Sequence, residues 1–352
     1  MSQYWSKLVH RLDPYVPGEQ PRDQAYIKLN TNESPYPPSP AVARVLRTFA
    51  AEDLRRYPDP QSGDLVTALA AYHGLDSDQV FVGNGSDEVL AHAFQALLQQ
   101  DKPILFPDIS YSFYPVYCTL YQIDFERIAL DDAFRIRVED YRRGNGGVIL
   151  PNPNAPTGIA LTIEDIARLL EQNSSCAVII DEAYVDFGAA SALPLIADHP
   201  NLLITRSFSK SRNLAGLRLG YALGHADLIE GLQRVKNSFN SYPVDSLASS
   251  IGLASIDDED YFRDCVRRIV ASREKLVENL RQLGFETFPS SANFVFAQHP
   301  GRDAEKLYLE LKSAGILVRY FASARIDDCL RITVGSDGEC AALVSALASI
   351  LK

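Results

Sequence analysis

Between about Val80 and Gly224, short apolar runs rich in β-formers alternate with longer stretches whose apolar residues recur at helical spacing. The runs QVFV, PILF, VILP, CAVIID, NLLIT and LGYAL read as strands. Between them, SDEVLAHAFQALLQQ and TIEDIARLLEQ read as helices, with Ser86 and Thr162 at the N-cap positions. Strand and helix in alternation predict βαβ units around a mostly parallel sheet with flanking helices, an α/β fold. Beyond about Pro243 the pattern changes. A long charged helix, DEDYFRDCVRRIVASREKLVENLRQLG, leads into FETFPS, ANFVFAQ, a helix near AEKLYLELKSAG, then ILVRYF, CLRITVG and a last helix, which predicts a smaller α+β lobe. Up to about Pro40 the chain is rich in Pro, Asn and Tyr without periodicity and is expected to run extended over the surface.

Length agrees with this division, since 352 residues is about twice the usual single domain. The expected partition is an N-terminal arm over residues 1–40 that joins the smaller lobe, a large cofactor-binding domain over 41–242, and a small C-terminal domain over 243–352. With 46% hydrophobic and 22% charged residues, the composition is that of a globular protein. A net charge of −11 and the lack of a basic stripe oppose nucleic-acid binding. The five cysteines are widely spaced with no CxxC pair, and the six histidines are scattered, so neither a disulfide framework nor a metal site is expected. No stretch approaches the ~18 apolar residues of a membrane span, and MSQYWSKLVHRLD has no apolar core of a signal peptide. A cytoplasmic setting follows as the expectation.

The chemistry concentrates in a few segments. SFSKSRNLAGLRLGY, residues 207–221, combines hydroxyls, one lysine and a distal arginine. Lysine forms Schiff bases once deprotonated, which burial beside other cations favours. Ser207, Ser209 and Arg218 are donors suited to a phosphate. Alone, Lys210 reads more readily as a solvated loop lysine, and the other segments change that reading. In AVIIDEAYVDF, Asp181 ends an apolar strand, where a buried carboxylate needs a positive partner such as a pyridinium nitrogen; a helix cap is the other reading. Tyr184 follows three residues on. VILPNPNAPTG is a turn suited to a cis proline and to a side-chain amide presented to a ligand. VFVGNGSDEVL is strand, glycine turn and helix start, so N–H groups near Gly85, Ser86 and Asp87 form an anion site reinforced by the helix dipole, provided the acids Asp87 and Glu88 point away. Tyr111 in FPDISYSFYPVY is either core or a stacking face for a flat cofactor.

In this order and at these spacings, 29 residues from Asp181 to Lys210 and eight more to Arg218, the motifs GSDE, NAPTG, DEAY and SFSK…GLRLGY resemble those of the fold-type I aminotransferases. PYVPGEQ, LNTNESPYPPSP and RRYPDPQ narrow the resemblance to the histidinol-phosphate aminotransferase family, over nearly the whole chain. The resemblance implies a pyridoxal 5'-phosphate cofactor, with Lys210 as Schiff-base lysine and proton carrier. It implies Asp181 at the pyridinium nitrogen, Tyr184 at the phenolic oxygen and Tyr111 stacked on the ring. The phosphate would take the N–H groups of Ser86 and Asp87 beside Gly85, and the side chains of Ser207, Ser209 and Arg218. It further implies a homodimer with shared sites, in which Tyr57 reaches the partner's cofactor phosphate. Tyr15, Asn32, Arg319 and Arg331 are assigned to the substrate, with Tyr15 and the arginines around its anionic end. Many relatives carry Asn directly before the proline of PTG; Ala155 stands here, so the cofactor-facing amide is expected from Asn154. The implied reaction is amino transfer between L-histidinol phosphate and 2-oxoglutarate in histidine biosynthesis. An aromatic or broad-specificity aminotransferase and a threonine-phosphate decarboxylase-like lyase are the rival readings.

Overall fold

The computed structural model describes residues 2–352. Its strands are β1 (Ile27–Lys28), β2 (Val80–Gly83), β3 (Ile104–Pro107), β4 (Phe125–Ile128), β5 (Gly147–Pro151), β6 (Val178–Asp181), β7 (Leu202–Ser207) and β8 (Gly220–Gly224), then β9 (Glu286–Thr287), β10 (Phe294–Gln298), β11 (Ile316–Leu317), β12 (Arg319–Tyr320) and β13 (Cys329–Thr333). The α-helices are α1 (Pro40–Thr48), α2 (Gly63–His73), α3 (Gly85–Ala93), α4 (Tyr114–Tyr121), α5 (Ile163–Gln172), α6 (Ala226–Phe239), α7 (Ser246–Asp257), α8 (Glu259–Gln282), α9 (Ala304–Ser313) and α10 (Asp337–Ile350).

Seven strands form the central sheet in the order β2-β8-β7-β6-β5-β3-β4. All neighbours are parallel except β8, which runs antiparallel to both β2 and β7. The apolar runs are nearly continuous because both faces of the sheet are covered. Val148, Leu150, Val178, Ile180, Leu202 and Ile204 enter one core, while the intervening Ile149, Ile179 and Leu203 enter the core on the other face. Edge strand β4 escapes the sequence pattern because its middle residues Glu126 and Arg127 are exposed. A second, antiparallel sheet in the order β12-β13-β10-β9 packs with α8, α9 and α10 around a separate core that includes Leu276, Val295 and Leu343.

The N-terminal stretch is largely without regular structure up to Ala25, apart from a 3-10 turn at Val9–Arg11, and it ends in β1 paired with β11. Thr162 is the N-cap of α5, its side chain accepting from the Asp165 N–H. Ser86 is not a cap. Helix α3 already starts at Gly85, whose φ of +78° suits glycine; Asn84 is its N-cap residue but makes no side-chain cap bond, and its Nδ2 donates to the Pro243 carbonyl. The NPNAPTG turn holds two cis peptides, Asn152–Pro153 and Ala155–Pro156.

Candidate functional site

A cavity of about 380 Å³ lies where β5, β6 and β7 end and β8 begins, the usual place for a ligand in an open α/β sheet. Asp181 closes β6, Ser207 closes β7, and the intervening loop brings Lys210 and Arg218 to the same rim. Arg319 of β12 and Arg331 of β13 enter from the smaller sheet, and Tyr15 and Asn32 from the N-terminal segment.

Asp181 is almost fully buried. The Tyr114 hydroxyl donates to its Oδ2 at 3.0 Å, while the Thr205 hydroxyl and the Ala183 N–H donate to its Oδ1 at 3.2 and 3.3 Å. Burial raises its pKa to about 6 against these three donors, and the Asp87 charge adds to the rise. Among the described residues no cation lies within ion-pair distance of it. An acid in such a place is suited to a cationic ligand atom. Nearby, the Lys210 Nζ donates to the Thr31 carbonyl at 3.3 Å and stands 5.7 Å from the centre of the Tyr184 ring. The Tyr184 hydroxyl accepts from Asn32 Nδ2 at 3.0 Å.

The first turn of α3 is suited to an anion. Its leading N–H groups have no side-chain cap, and the dipole adds partial positive charge there. Gly220 lets β8 approach this turn, since a Cβ there would stand 2.3 Å from the Ser86 nitrogen. Arg218 reaches over Gly85, where a Cβ would meet its Nη2 at 2.6 Å. The two acids separate. Glu88 turns back to accept from the Asn84 N–H at 2.6 Å, but Asp87 does not point away: it lines the cavity, accepting from Arg218 Nη2 at 2.8 Å and from the Tyr111 hydroxyl at 3.0 Å. The guanidinium neutralises the carboxylate that would otherwise repel an anion. Ser207 Oγ accepts from the Ser209 N–H at 3.0 Å, and both residues line the same end.

At the far end Arg319 and Arg331 both face the Phe321 ring, at 5.4 and 5.5 Å. Arg331 donates to the Asn30 carbonyl, but its buried Nε has no partner. Burial lowers its pKa, and the charge of Arg319 acts in the same direction. Among the described residues neither arginine meets a carboxylate within ion-pair distance. Two such cations make a strong anion site. Tyr15 stands beside it, its ring 4.9 Å from Phe113 and 6.3 Å from Tyr111.

Comparison with known proteins supplies the family. Residues 24–347 match the family described as aminotransferase class I and II. The chain is 57% identical to histidinol-phosphate aminotransferase 1 of Hydrogenovibrio crunogenus, covering 100% of this chain and 99% of that protein. The chain belongs to the class I and II aminotransferases, in their histidinol-phosphate branch. It is also 58% identical to histidinol-phosphate aminotransferase 2 of Thiobacillus denitrificans, over 99% of this chain and 98% of that one. Among solved structures, histidinol-phosphate aminotransferase from Sinorhizobium meliloti in complex with pyridoxal-5'-phosphate is 26% identical and superposes with a TM-score of 0.89, covering 100% of this chain and 98% of that one.

Three of the site residues singled out in the sequence, Gly85, Asn154 and Tyr57, are not in the cavity wall of this aminotransferase. Gly85 lies under the Arg218 guanidinium. Asn154 is buried behind the cavity, donating to the Ile109 carbonyl and Thr157 Oγ1, with its own Oδ1 unpartnered, whereas Ala155 is in the wall. Tyr57 is 82% exposed, its ring stacked on Tyr242 at 4.7 Å. Conversely, Tyr114, Thr205, the Thr31 carbonyl and Phe321 touch the aminotransferase site without having been singled out. Tyr114 sits in the aromatic run next to Tyr111, and only that cluster pointed towards it. Among the described residues no group of His, Cys, Asp and Glu could hold a metal, all five cysteines are free, and no helix is long and apolar enough to cross a membrane.

Proposed function

We propose that this aminotransferase moves an amino group from L-histidinol phosphate to 2-oxoglutarate, giving imidazole acetol phosphate and L-glutamate, a step of histidine biosynthesis. The observation that carries the reading is one cavity in which a buried acid with no cation beside it and a lysine lie between two separate ends suited to anions, a helix N-terminus and a pair of arginines. Pyridoxal 5'-phosphate, when bound, supplies a ring that takes up the electron pair left at the substrate carbon. The residues fit that group. Asp181 lacks a cation and would keep a ring nitrogen protonated; the open α3 N–H groups of Ser86 and Asp87, with Ser207, Ser209 and Arg218, would hold the phosphate.

In this reading Lys210 is the covalent anchor and carries the proton to and from the substrate carbon. Tyr184, held by Asn32, would donate to the phenolic oxygen of the bound ring, and Tyr111 would offer it an aromatic face. Asn154, expected as the cofactor-facing amide, instead holds the turn that presents Ala155 to the cavity, through the Ile109 carbonyl and Thr157 Oγ1. Arg319, Arg331 and Tyr15 would grip the phosphate monoester, which suits two arginines that, among the described residues, have no carboxylate within ion-pair distance. The same site must accept the carboxylates of the second substrate, so the enzyme works in two half-reactions with ping-pong kinetics. A homodimer in which Tyr57 serves the partner's site completes the reading and accounts for its 82% exposure here. The chain would work in the cytoplasm, with residues 1–40 as an arm joining the small lobe, 41–242 as the cofactor domain and 243–352 as the small domain.

The test is a visible absorption spectrum after addition of pyridoxal 5'-phosphate, followed by titration with histidinol phosphate and comparison of kcat/KM with that for phenylalanine. The proposal expects a visible band that histidinol phosphate discharges and a preference for the phosphate substrate. Preference for phenylalanine would make the enzyme an aromatic aminotransferase. Release of carbon dioxide without an oxo-acid acceptor would make it a lyase.

A further inference from the structure

Residues 181–186 and 206–212 each present two faces. Forward, Asp181 and Tyr184 from one segment, and Ser207, Ser209 and Lys210 from the other, line the cavity. Backward, Glu182 and Asp186 meet Arg206 and Ser211 around a separate small chamber. Strand alternation along β7 produces the split, because Thr205 and Ser207 point to one side and Arg206 to the other.

The backward contacts are dense. The Glu182 side chain has no exposed surface, and its two oxygens accept from Arg206 Nε at 3.0 Å, Arg206 Nη2 at 2.8 Å, Ser191 Oγ at 2.9 Å and the Ala192 N–H at 2.6 Å. Arg206 also donates to Ser191 Oγ at 2.8 Å and lies 3.7 Å from Asp186. Asp186 in turn accepts from Ser211 Oγ at 2.5 Å, directly after Lys210. None of these four side chains is needed for the chemistry assigned to the cavity. A buried ion pair by itself is weak evidence for stability, since apolar residues of similar volume often serve as well. Here three links, Glu182 to Arg206, Arg206 to Asp186 and Ser211 to Asp186, join the segment carrying Asp181 to the segment carrying Lys210.

We propose that Glu182, Arg206, Asp186 and Ser211 form a brace that positions Asp181 and Lys210 relative to each other. This rests on the roles given to those two residues above. The brace acts through geometry: displacing a reacting group by about 1 Å costs on the order of a hundredfold in rate.

Ser211→Ala, Asp186→Ala and Asp186→Asn test it while leaving the Glu182–Arg206 pair intact, because breaking a buried pair endangers folding. Three quantities are read: the dissociation constant of pyridoxal 5'-phosphate, the pH midpoint of its visible band when bound, and the melting midpoint of the cofactor-free protein. The brace predicts that Ser211→Ala and Asp186→Ala each weaken cofactor binding about tenfold and move the pH midpoint, as loss of one well-placed hydrogen bond would. The cofactor-free melting midpoint should shift by less than about 3 °C. Asp186→Asn, which keeps an acceptor for Ser211, should recover most of the loss, and the Asp186→Ala/Ser211→Ala double variant should lose no more than either single one. Unchanged affinity and pH midpoint in both single variants, or losses that multiply in the double variant, would overturn the brace. A wild-type protein that shows no visible band with pyridoxal 5'-phosphate would overturn the underlying reading and the brace with it.

Discussion

Asp181 is held ready for a positive partner at a cost that pH makes measurable. Its folded pKa is about 6 against an ordinary 3.8, so between those values the folded protein holds the proton more tightly than the unfolded chain does. The contribution of Asp181 to stability therefore falls as pH rises through that window, by roughly 3 kcal/mol in all, and is fully lost above it. Asp181→Asn removes this slope. In cofactor-free protein the melting curves of wild type and Asp181→Asn should converge or cross between pH 4 and 6 as the wild-type advantage declines; parallel curves across that range would contradict the assignment. Arg331 gives a second residue-level prediction. Arg331→Lys keeps the charge but loses the planar fork, so KM for histidinol phosphate should rise about tenfold with a much smaller change in kcat. Initial-rate kinetics decide it, and an equal fall in kcat at constant KM would place Arg331 outside substrate binding.

At the scale of elements, α5 offers a control remote from the chemistry. Thr162→Ala should cost about 1 kcal/mol in urea unfolding and leave turnover unchanged, because the hydroxyl caps the helix and touches no cavity residue. That cap was legible in the sequence, as were the six main strands and the long helix α8, since each follows from a local pattern of apolar spacing and end signals. Strand β4 was not legible, because an edge strand with a charged middle carries little of that pattern. Nor was α4, whose aromatic run YPVYCTLY resembles core or loop as readily as helix. The same distinction runs through the site. Asp181 was legible because a charge that ends an apolar strand is anomalous within its own segment. Its partners Tyr114 and Thr205 lie 67 and 24 residues away and are ordinary in theirs, so only the packing of α4 and β7 against β6 exposes them. The Ala155 departure in the PTG turn was visible as well, but the burial of Asn154 behind the wall depends on how the turn closes and not on its composition.

For the whole molecule, the exposed Tyr57 makes the proposed shared site testable. If each cavity needs Tyr57 from a second copy, Lys210→Ala and Tyr57→Ala proteins, each impaired alone, should regain activity when unfolded and refolded together, because one of the two sites in a hybrid dimer carries both native residues. No recovery above the summed activities of the two variants would argue for sites complete within one chain. The placement of the two proposed anion-binding ends has a further consequence, one that concerns synthesis. Because β8 runs antiparallel to β7, with Gly220 opposite Ser207, the loop between them stays at the rim, so the anion end is finished by Arg218, while the far end waits for Arg319, 101 residues later. At usual translation rates of 5–20 residues per second, that interval lasts roughly 5–20 s. A ribosome making this chain therefore completes every residue proposed to hold the cofactor well before it makes the two arginines proposed to select the substrate.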